Sequence, residues 1–354
     1  MTATPAVGVH GTDLLPAVQV DTYNAELRDA EGFIGDRASN RAFRSILEDW
    51  REQIREIGED PIGDVASADI SKKTLDKLIT DGEPEAAGLL LGTVEEFAQE
   101  FATVIRRFLR LKEWRDTQRI VVGGGLRASR VGELVIGRTS VLLKSAGCDV
   151  ELRPIRYHPD EAGLLGCLHL VPSWIFSGHD GILAVDIGGS NIRVGVVSLI
   201  SRKTPDLSKS KVAASELWRH ADDQPDRDQA IDRLNQMLLA MIKRADKEDL
   251  MLAPFVGIGC PGLIQDDGSI TRGGQNLPGN WSTKSFNLPQ QVSAAIPTIN
   301  GHEVSVLMHN DAVVQGLSEA PFMTDVEHWG VMTIGTGLGN ARFTNRAAAS
   351  ADQP

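Results

Sequence analysis

Cysteine is scarce in this chain: Cys148, Cys167 and Cys260 are odd in number, scattered, and set in apolar or glycine-rich contexts rather than in CxxC pairs. That excludes a disulfide framework and predicts reduced core thiols. Positive charge is in deficit as well. Thirty-six Lys and Arg against forty-eight Asp and Glu leave a net charge of −12, which repels polyanions, so neither nucleic acid nor an anionic membrane is expected as a partner. The one basic run, Arg106, Arg107, Arg110, Lys112, Arg115 and Arg119, reads as the solvated face of a helix. No apolar run approaches bilayer-spanning length, and the first residues lack the basic and apolar regions of a leader, so a cytoplasmic protein is expected. The eight histidines and the cysteines show no metal-ligand spacing. No Gly-Lys dipeptide exists to serve a Walker loop, and residues 132–139, which resemble one, lie inside a helical pattern. Residues 257–262 fit GxGxxG but run into a proline and a hairpin where a dinucleotide site needs a helix.

What the chain does have is organised around residues 182–197, ILAVDIGGSNIRVGVV. An apolar strand ends in Asp186, turns through Gly188 and Gly189, and enters a second apolar strand. A buried strand holds Asp186 at a fixed point, where a carboxylate can serve a metal ion. Gly188 and Gly189 permit positive φ and carry no Cβ, so backbone N–H groups can approach an anion closely, with Ser190 and Asn191 beside them. Alone, this reads rather as an ordinary Gly-Gly hairpin.

Along the rest of the chain, helical spacing predicts a helix opened by Ser39, a short Ser71-capped helix within a polar excursion over residues 59–84, and a long helix over 85–111 with Phe97, Phe101, Val104, Ile105 and Phe108 on one face. A strand at 120–122 then meets Gly123, Gly124 and Gly125. Helix, strand and helix follow near 129–146, 149–155 and 160–170, the alternation of a covered α/β sheet. Further on come a helix after Pro225, a strand over 255–260 running into Pro261-Gly262, and a hairpin turn at Asp267-Gly268. A strand over 304–308 delivers His309-Asn310-Asp311 to a helix start. A last strand, 330–334, ends in Gly335-Thr336-Gly337-Leu338-Gly339.

Taken together, DIGGSNIRVGVV, GIGCPGLIQDDGSI, GGQNLPGNW, HNDAVVQGLSE, IGTGLGNA and VVGGG resemble the ROK family of sugar kinases and repressors, in the sugar-kinase, Hsp70 and actin superfamily. The likeness covers residues 181–345 strongly and 86–170 more loosely. It implies a two-lobed actin-like ATPase (ribonuclease H-like) fold with a cleft between its lobes, and an ATP-dependent sugar kinase requiring Mg²⁺. In that scheme Asp311 is the general base, ionised at neutral pH as an ordinary carboxylate. Asn310 and Asn276 fix the sugar, and Gly262 shapes the turn beneath it. Gly188, Gly189, Ser190, Asn191, Gly335, Thr336, Gly337 and Gly339 hold phosphates, Gly124 and Gly125 face the nucleoside, and Asp186 serves Mg²⁺ through water.

The order departs from the family: the adenosine-side glycines precede the first phosphate loop, which implies a circular permutation or, alternatively, a truncated kinase behind an unrelated front end. Residues 1–172 would then begin the larger lobe, 173–308 form the smaller lobe, and 309–354 complete the larger. The family's cysteine-rich zinc motif and Gly-Glu-x-Gly-His sugar stretch are not visible, so zinc is not expected. The second half of the sugar-binding set is then either supplied by residues near the amino terminus or missing. A sugar and ATP are the implied partners, and a homodimer is compatible with the family. A sugar-responsive regulator or pseudokinase without turnover is the rival reading.

Overall fold

The computed structural model describes residues 8–199 and 206–346, and these form a mixed α/β structure. The strands used below are β1 (Val18–Tyr23), β2 (Arg119–Gly123), β3 (Glu151–Pro154), β4 (Gly181–Ile187), β5 (Ile192–Ser198), β6 (Lys211–Trp218), β7 (Leu252–Cys260), β8 (Ser305–Asn310), β9 (His328–Ile334) and β10 (Leu338–Asn345). The helices are α1 (Asn40–Arg55), α2 (Lys72–Asp81), α3 (Pro84–Phe108), α4 (Arg130–Ser145), α5 (Pro159–Gly166), α6 (Arg227–Lys247), α7 (Leu288–Ala295) and α8 (Asp311–Leu317). The chain divides into two compact units. The first comprises Met1–Asn24, Arg156–Glu327 and Phe343–Pro354, and the second Ala25–Ile155 and His328–Arg342.

The first unit is built on a sheet ordered β8-β7-β4-β5-β6. Every residue of β4 is buried, as a central strand with both faces covered requires. It pairs antiparallel with β5, placing Asp186 opposite Arg193, and parallel with β7, placing Asp186 beside Gly259. In turn β7 pairs parallel with β8, Cys260 beside Asn310. On one face α6 buries Ile231, Leu234, Leu238 and Met241 against Val194, Val196 and Val256. Asp226, not Pro225, caps that helix, through a capping box with Gln229. On the other face α5 sits almost flush with the strands: a Cβ on Gly163 would lie 2.4 Å from Cγ of Asp186, and one on Gly257 would lie 2.6 Å from Cβ of Cys167.

The second unit holds β10-β9-β2-β3, with β9 parallel to β2 and β2 parallel to β3. The core under it is made by Phe97, Phe101, Ile105 and Phe108 of α3 with Phe43, Leu47, Val122 and Met332. The polar excursion before α3 is anchored rather than loose. Arg51, fully buried, donates to Asp60 at 2.7 Å, to Ser67 at 2.8 Å and to the Gly63 carbonyl at 2.5 Å. Ser71 caps α2 as expected, and Leu75 carries that helix into the core. The basic run is split by the fold. Arg106 and Arg107 end α3, but Arg119 is 4% exposed in β2 and pairs with Glu151 at 2.7 Å.

The units part after residues 24, 155, 327 and 342, where the sequence reading placed boundaries after 172 and 308. Strand pairing accounts for the difference. Because β8 is hydrogen-bonded to β7, Asp311 belongs with the sheet that carries residues 182–197 and not with residues 309–354 as a separate piece.

Candidate active site

Two clusters emerge, one on each unit. On the first unit, Asp186 lies near the carboxyl end of β4, and Asp311 follows the carboxyl end of β8. With β7 between them, their strand axes are roughly 10 Å apart. Asp186 is 4% exposed; Nη1 of Arg193 donates to its Oδ2 at 3.2 Å, and Arg193 also reaches Asp160 of α5 at 2.7 Å. Burial still pushes the Asp186 carboxyl upward, against the pull of Arg193. Asp311 is pushed up to about 7, first by removal from water and then by the negative charge of Asp186. This corrects the expectation of an ordinary carboxylate, because a strand-end position read from sequence says nothing of a second acid two strands away.

Asn310 is the N-cap of α8: its Oδ1 accepts from the N–H groups of Ala312 and Val313 at 3.0 and 3.3 Å. Its Nδ2 donates to the Gly262 carbonyl at 3.0 Å. At 2% exposed, it braces the turn and starts the helix on which Asp311 is the first residue. Before it, His309 is buried and neutral, driven down to about 4 by burial. Its Nε2–H donates to the Thr12 carbonyl at 3.1 Å, and its Nδ1 accepts from Asn310 N–H at 2.7 Å. Gly262 needs glycine, since its φ is +110° and a Cβ would meet the Arg272 carbonyl oxygen at 2.6 Å.

The loop after β4 has a different reason for its glycines than the one read from sequence. Neither Gly188 nor Gly189 adopts positive φ; a Cβ on Gly189 would instead lie 3.0 Å from Cβ of the exposed Asn276. Close approach is the requirement, and it brings Asn276 to the loop. Gly188 N–H closes on the Asn191 carbonyl at 2.8 Å, and Ala221 N–H donates to the Ser190 carbonyl at 3.2 Å. The buried His220 meets the Gly188 carbonyl through Nε2 at 3.0 Å. A lone histidine carries no motif, so sequence reasoning missed His220. Arg193, by contrast, stood inside the quoted motif without a role. Cys260 lies beside Asn310 in register, its thiol pushed well up by burial, an inert core group as expected.

On the second unit, Gly123 to Gly125 and residues 335–339 are neighbours although some two hundred positions separate them. Thr333 pairs with Gly123, and Gly124, at φ +83°, lies so close to β9 that a Cβ would be 2.3 Å from the Ile334 carbonyl oxygen. Gly335 N–H donates to the Gly337 carbonyl at 2.9 Å, forming the tight turn that leads past Thr336 to Gly339. Asn40, the first residue of α1, donates its N–H to the Gly335 carbonyl at 3.0 Å. These are two abutting glycine turns with bare backbone.

Among the described residues no group of three or more His, Cys, Asp or Glu is placed to hold a metal ion. An ion carried by a nucleotide needs less, since Mg²⁺ keeps most of its waters and uses one or two carboxylates with the phosphates. Asp186, one oxygen on Arg193 and the other against Gly163, is the carboxylate of the first phosphate loop that such an ion would meet. No described helix is long and apolar enough to cross a membrane.

Comparison with known proteins gives a partial likeness. Over 166 residues the chain is 27% identical to the glucokinase of Thermotoga maritima, a stretch covering 46% of this chain and 44% of that protein. The chain thus spans less than half the length of this relative. Among solved structures it is similar to the Lmo2764 protein of Listeria monocytogenes, assigned as an N-acetylmannosamine kinase, at 25% identity and a TM-score of 0.33 over 47% of each chain. It is also similar to the ROK hexokinase of Thermus thermophilus, at 18% identity and a TM-score of 0.28 over 45% of each. No family model matches the chain. The likeness in sequence is to sugar kinases, in keeping with the resemblance carried by the motifs.

Proposed function

We propose that this chain is an ATP-dependent sugar kinase of ROK type, with the two-lobed actin-like ATPase architecture in circularly permuted order and Asp311 as its general base. The observation that carries the reading is the pair of carboxylates Asp186 and Asp311 at the ends of two strands separated by one, the first fixed by Arg193 and the second raised to about 7. A general base works best with a pKa near the working pH. Partly ionised at neutrality, Asp311 takes the proton of the attacking sugar hydroxyl, while Asn310 holds the helix start that aims it. Asn276, beside Gly189, donates to and accepts from sugar hydroxyls, and the Gly262 turn gives the ring a floor.

The loop Gly188 to Asn191 and the turn Gly335 to Gly339 bind phosphates through backbone N–H groups; Gly124 and Gly125 take the nucleoside. When bound, Mg²⁺ supplies neutralisation of the phosphoryl charge, with Asp186 as the carboxylate that holds it. The permuted order is supported by the pairing of β9, from the end of the chain, with β2, from its front half. Sugar and ATP are the partners in this reading, and its setting is the cytoplasm. Coupled ADP release with Mg-ATP over a panel of hexoses and amino sugars tests it. Sugar-dependent release is expected, and the absence of release with every sugar, in a protein that still binds sugar, favours the regulator.

A further inference from the structure

We infer that His220 is a positioning residue for nucleotide binding, one that aims N–H groups of the loop Gly188 to Asn191 at phosphate; this rests on the kinase reading above. A chain of net charge −12 needs local donors to grip a polyphosphate. Arg193, which follows the loop, is held by Asp186 and Asp160, so the grip falls to the backbone. Three carbonyls of the loop are occupied. That of Gly188 accepts from Nε2–H of His220 at 3.0 Å, that of Ser190 from Ala221 N–H at 3.2 Å, and that of Asn191 from Gly188 N–H at 2.8 Å. In a trans peptide the carbonyl and the N–H of the next residue point opposite ways. Fixing the first two carbonyls on residues 220 and 221 therefore turns Gly189 N–H and Asn191 N–H away from that segment. Among the described residues neither N–H has a backbone acceptor, which leaves both for an anion.

The brace is built into the fold. β6 pairs with β5 so that Trp218 lies opposite Ile192, the residue after the loop, and the chain then passes Arg219 into a helical turn, His220–Asp223. The imidazole is 3% exposed. Trp218 meets it edge-on with ring centroids 6.0 Å apart, and Nε1–H of Trp218 donates to Asp223 at 2.6 Å. The His220 carbonyl accepts Gln224 N–H at 2.9 Å, closing the turn. A carbonyl can only accept, so the ring carries a proton on Nε2. A buried histidine tied to one loop carbonyl has a use here: it keeps the peptide between Gly188 and Gly189, which no side chain restrains, from rotating.

Calorimetric titration of the full chain with ADP, ATP and adenosine in the presence of Mg²⁺, for the parent protein, His220→Phe, His220→Asn and His220→Gln, tests this. Phe keeps a ring but has no donor, Asn falls short of Gly188, and Gln carries its amide near the place of Nε2. We expect His220→Phe and His220→Asn to weaken ADP and ATP by about 10-fold, from loss of one hydrogen bond, with adenosine nearly unchanged. His220→Gln should stay within about threefold of the parent, as a retained donor predicts. If His220→Phe does not fold, the comparison of His220→Asn with His220→Gln decides. Unchanged affinity for both ADP and ATP in a folded variant without the donor overturns the assignment. So does an equal loss for adenosine, which marks a merely structural role, or a His220→Gln protein no better than His220→Asn. A parent protein that binds none of the three overturns the kinase reading itself.

Discussion

Asp311→Asn separates chemistry from architecture, because the cap of α8 is Asn310 and the carboxamide keeps the shape of the side chain it replaces. Two effects follow, of opposite sign. Turnover loses its base and should fall by about 10²-fold or more with nucleotide affinity little changed. Stability should move the other way. The folded-state pKa of Asp311 is raised from 3.8 to about 7, so the folded protein holds this proton more tightly than the unfolded chain does. Its ionisation therefore costs stability, a cost that starts near the unfolded pKa, grows as pH rises, and is complete above the folded value. At about 1.4 kcal/mol per pH unit the whole penalty is about 4 kcal/mol, of which about 2–3 kcal/mol develops between pH 5 and pH 8. Asn does not titrate, and its own burial cost cancels between the two pH values. Urea unfolding of parent and variant at pH 5 and pH 8 should show the variant's advantage widening by that order. A folded Asp311→Asn protein with near-normal turnover refutes the assignment as base. A stability difference that does not change with pH refutes the raised pKa.

Three further outcomes are expected. In the parent, kcat/KM should rise with pH through a midpoint near 7, as Asp311 deprotonates; a flat profile from pH 5.5 to 8.5 contradicts this. Arg193→Met leaves two buried or half-buried carboxylates, Asp186 and Asp160, without their cation, and should cost about 3 kcal/mol by urea unfolding; a cost under about 1 kcal/mol, no more than a surface pair is worth, contradicts the pairing. Gly124→Ala forces a Cβ against the Ile334 carbonyl at a positive φ, and should lower stability by about 2 kcal/mol or more as well as weaken nucleotide binding. An Ala variant as stable as the parent would mean that the two turns do not abut.

Much of the fold is legible in the sequence because its elements announce themselves locally. The unbroken apolar run of β4, the phenylalanine stripe of α3 and the serine caps at 39 and 71 all appear where the pattern puts them. What periodicity does not carry is which distant groups meet. Asp186 reads as a metal carboxylate, yet whether it faces Arg193 is set by β4–β5 register. Asn310 reads as a sugar ligand, yet its carboxamide is taken up by Gly262 and the start of α8. The unit boundaries escape for the same reason, since they follow strand pairing between segments far apart in the chain. Gly163 is a case where a signal was present: a glycine inside a helical pattern, in the DEAGLLG segment, marks close approach, and its neighbour is Asp186.

The most direct test of the account follows the phosphoryl group itself, by ³¹P NMR of the parent protein with Mg-ATP and the sugar that gives most ADP release. The account predicts that the γ-phosphate signal falls as a sugar phosphate monoester grows in equal amount, and that Asp311→Asn all but abolishes both changes. Inorganic phosphate growing in place of the ester, or an ester forming as fast in Asp311→Asn as in the parent, would contradict it.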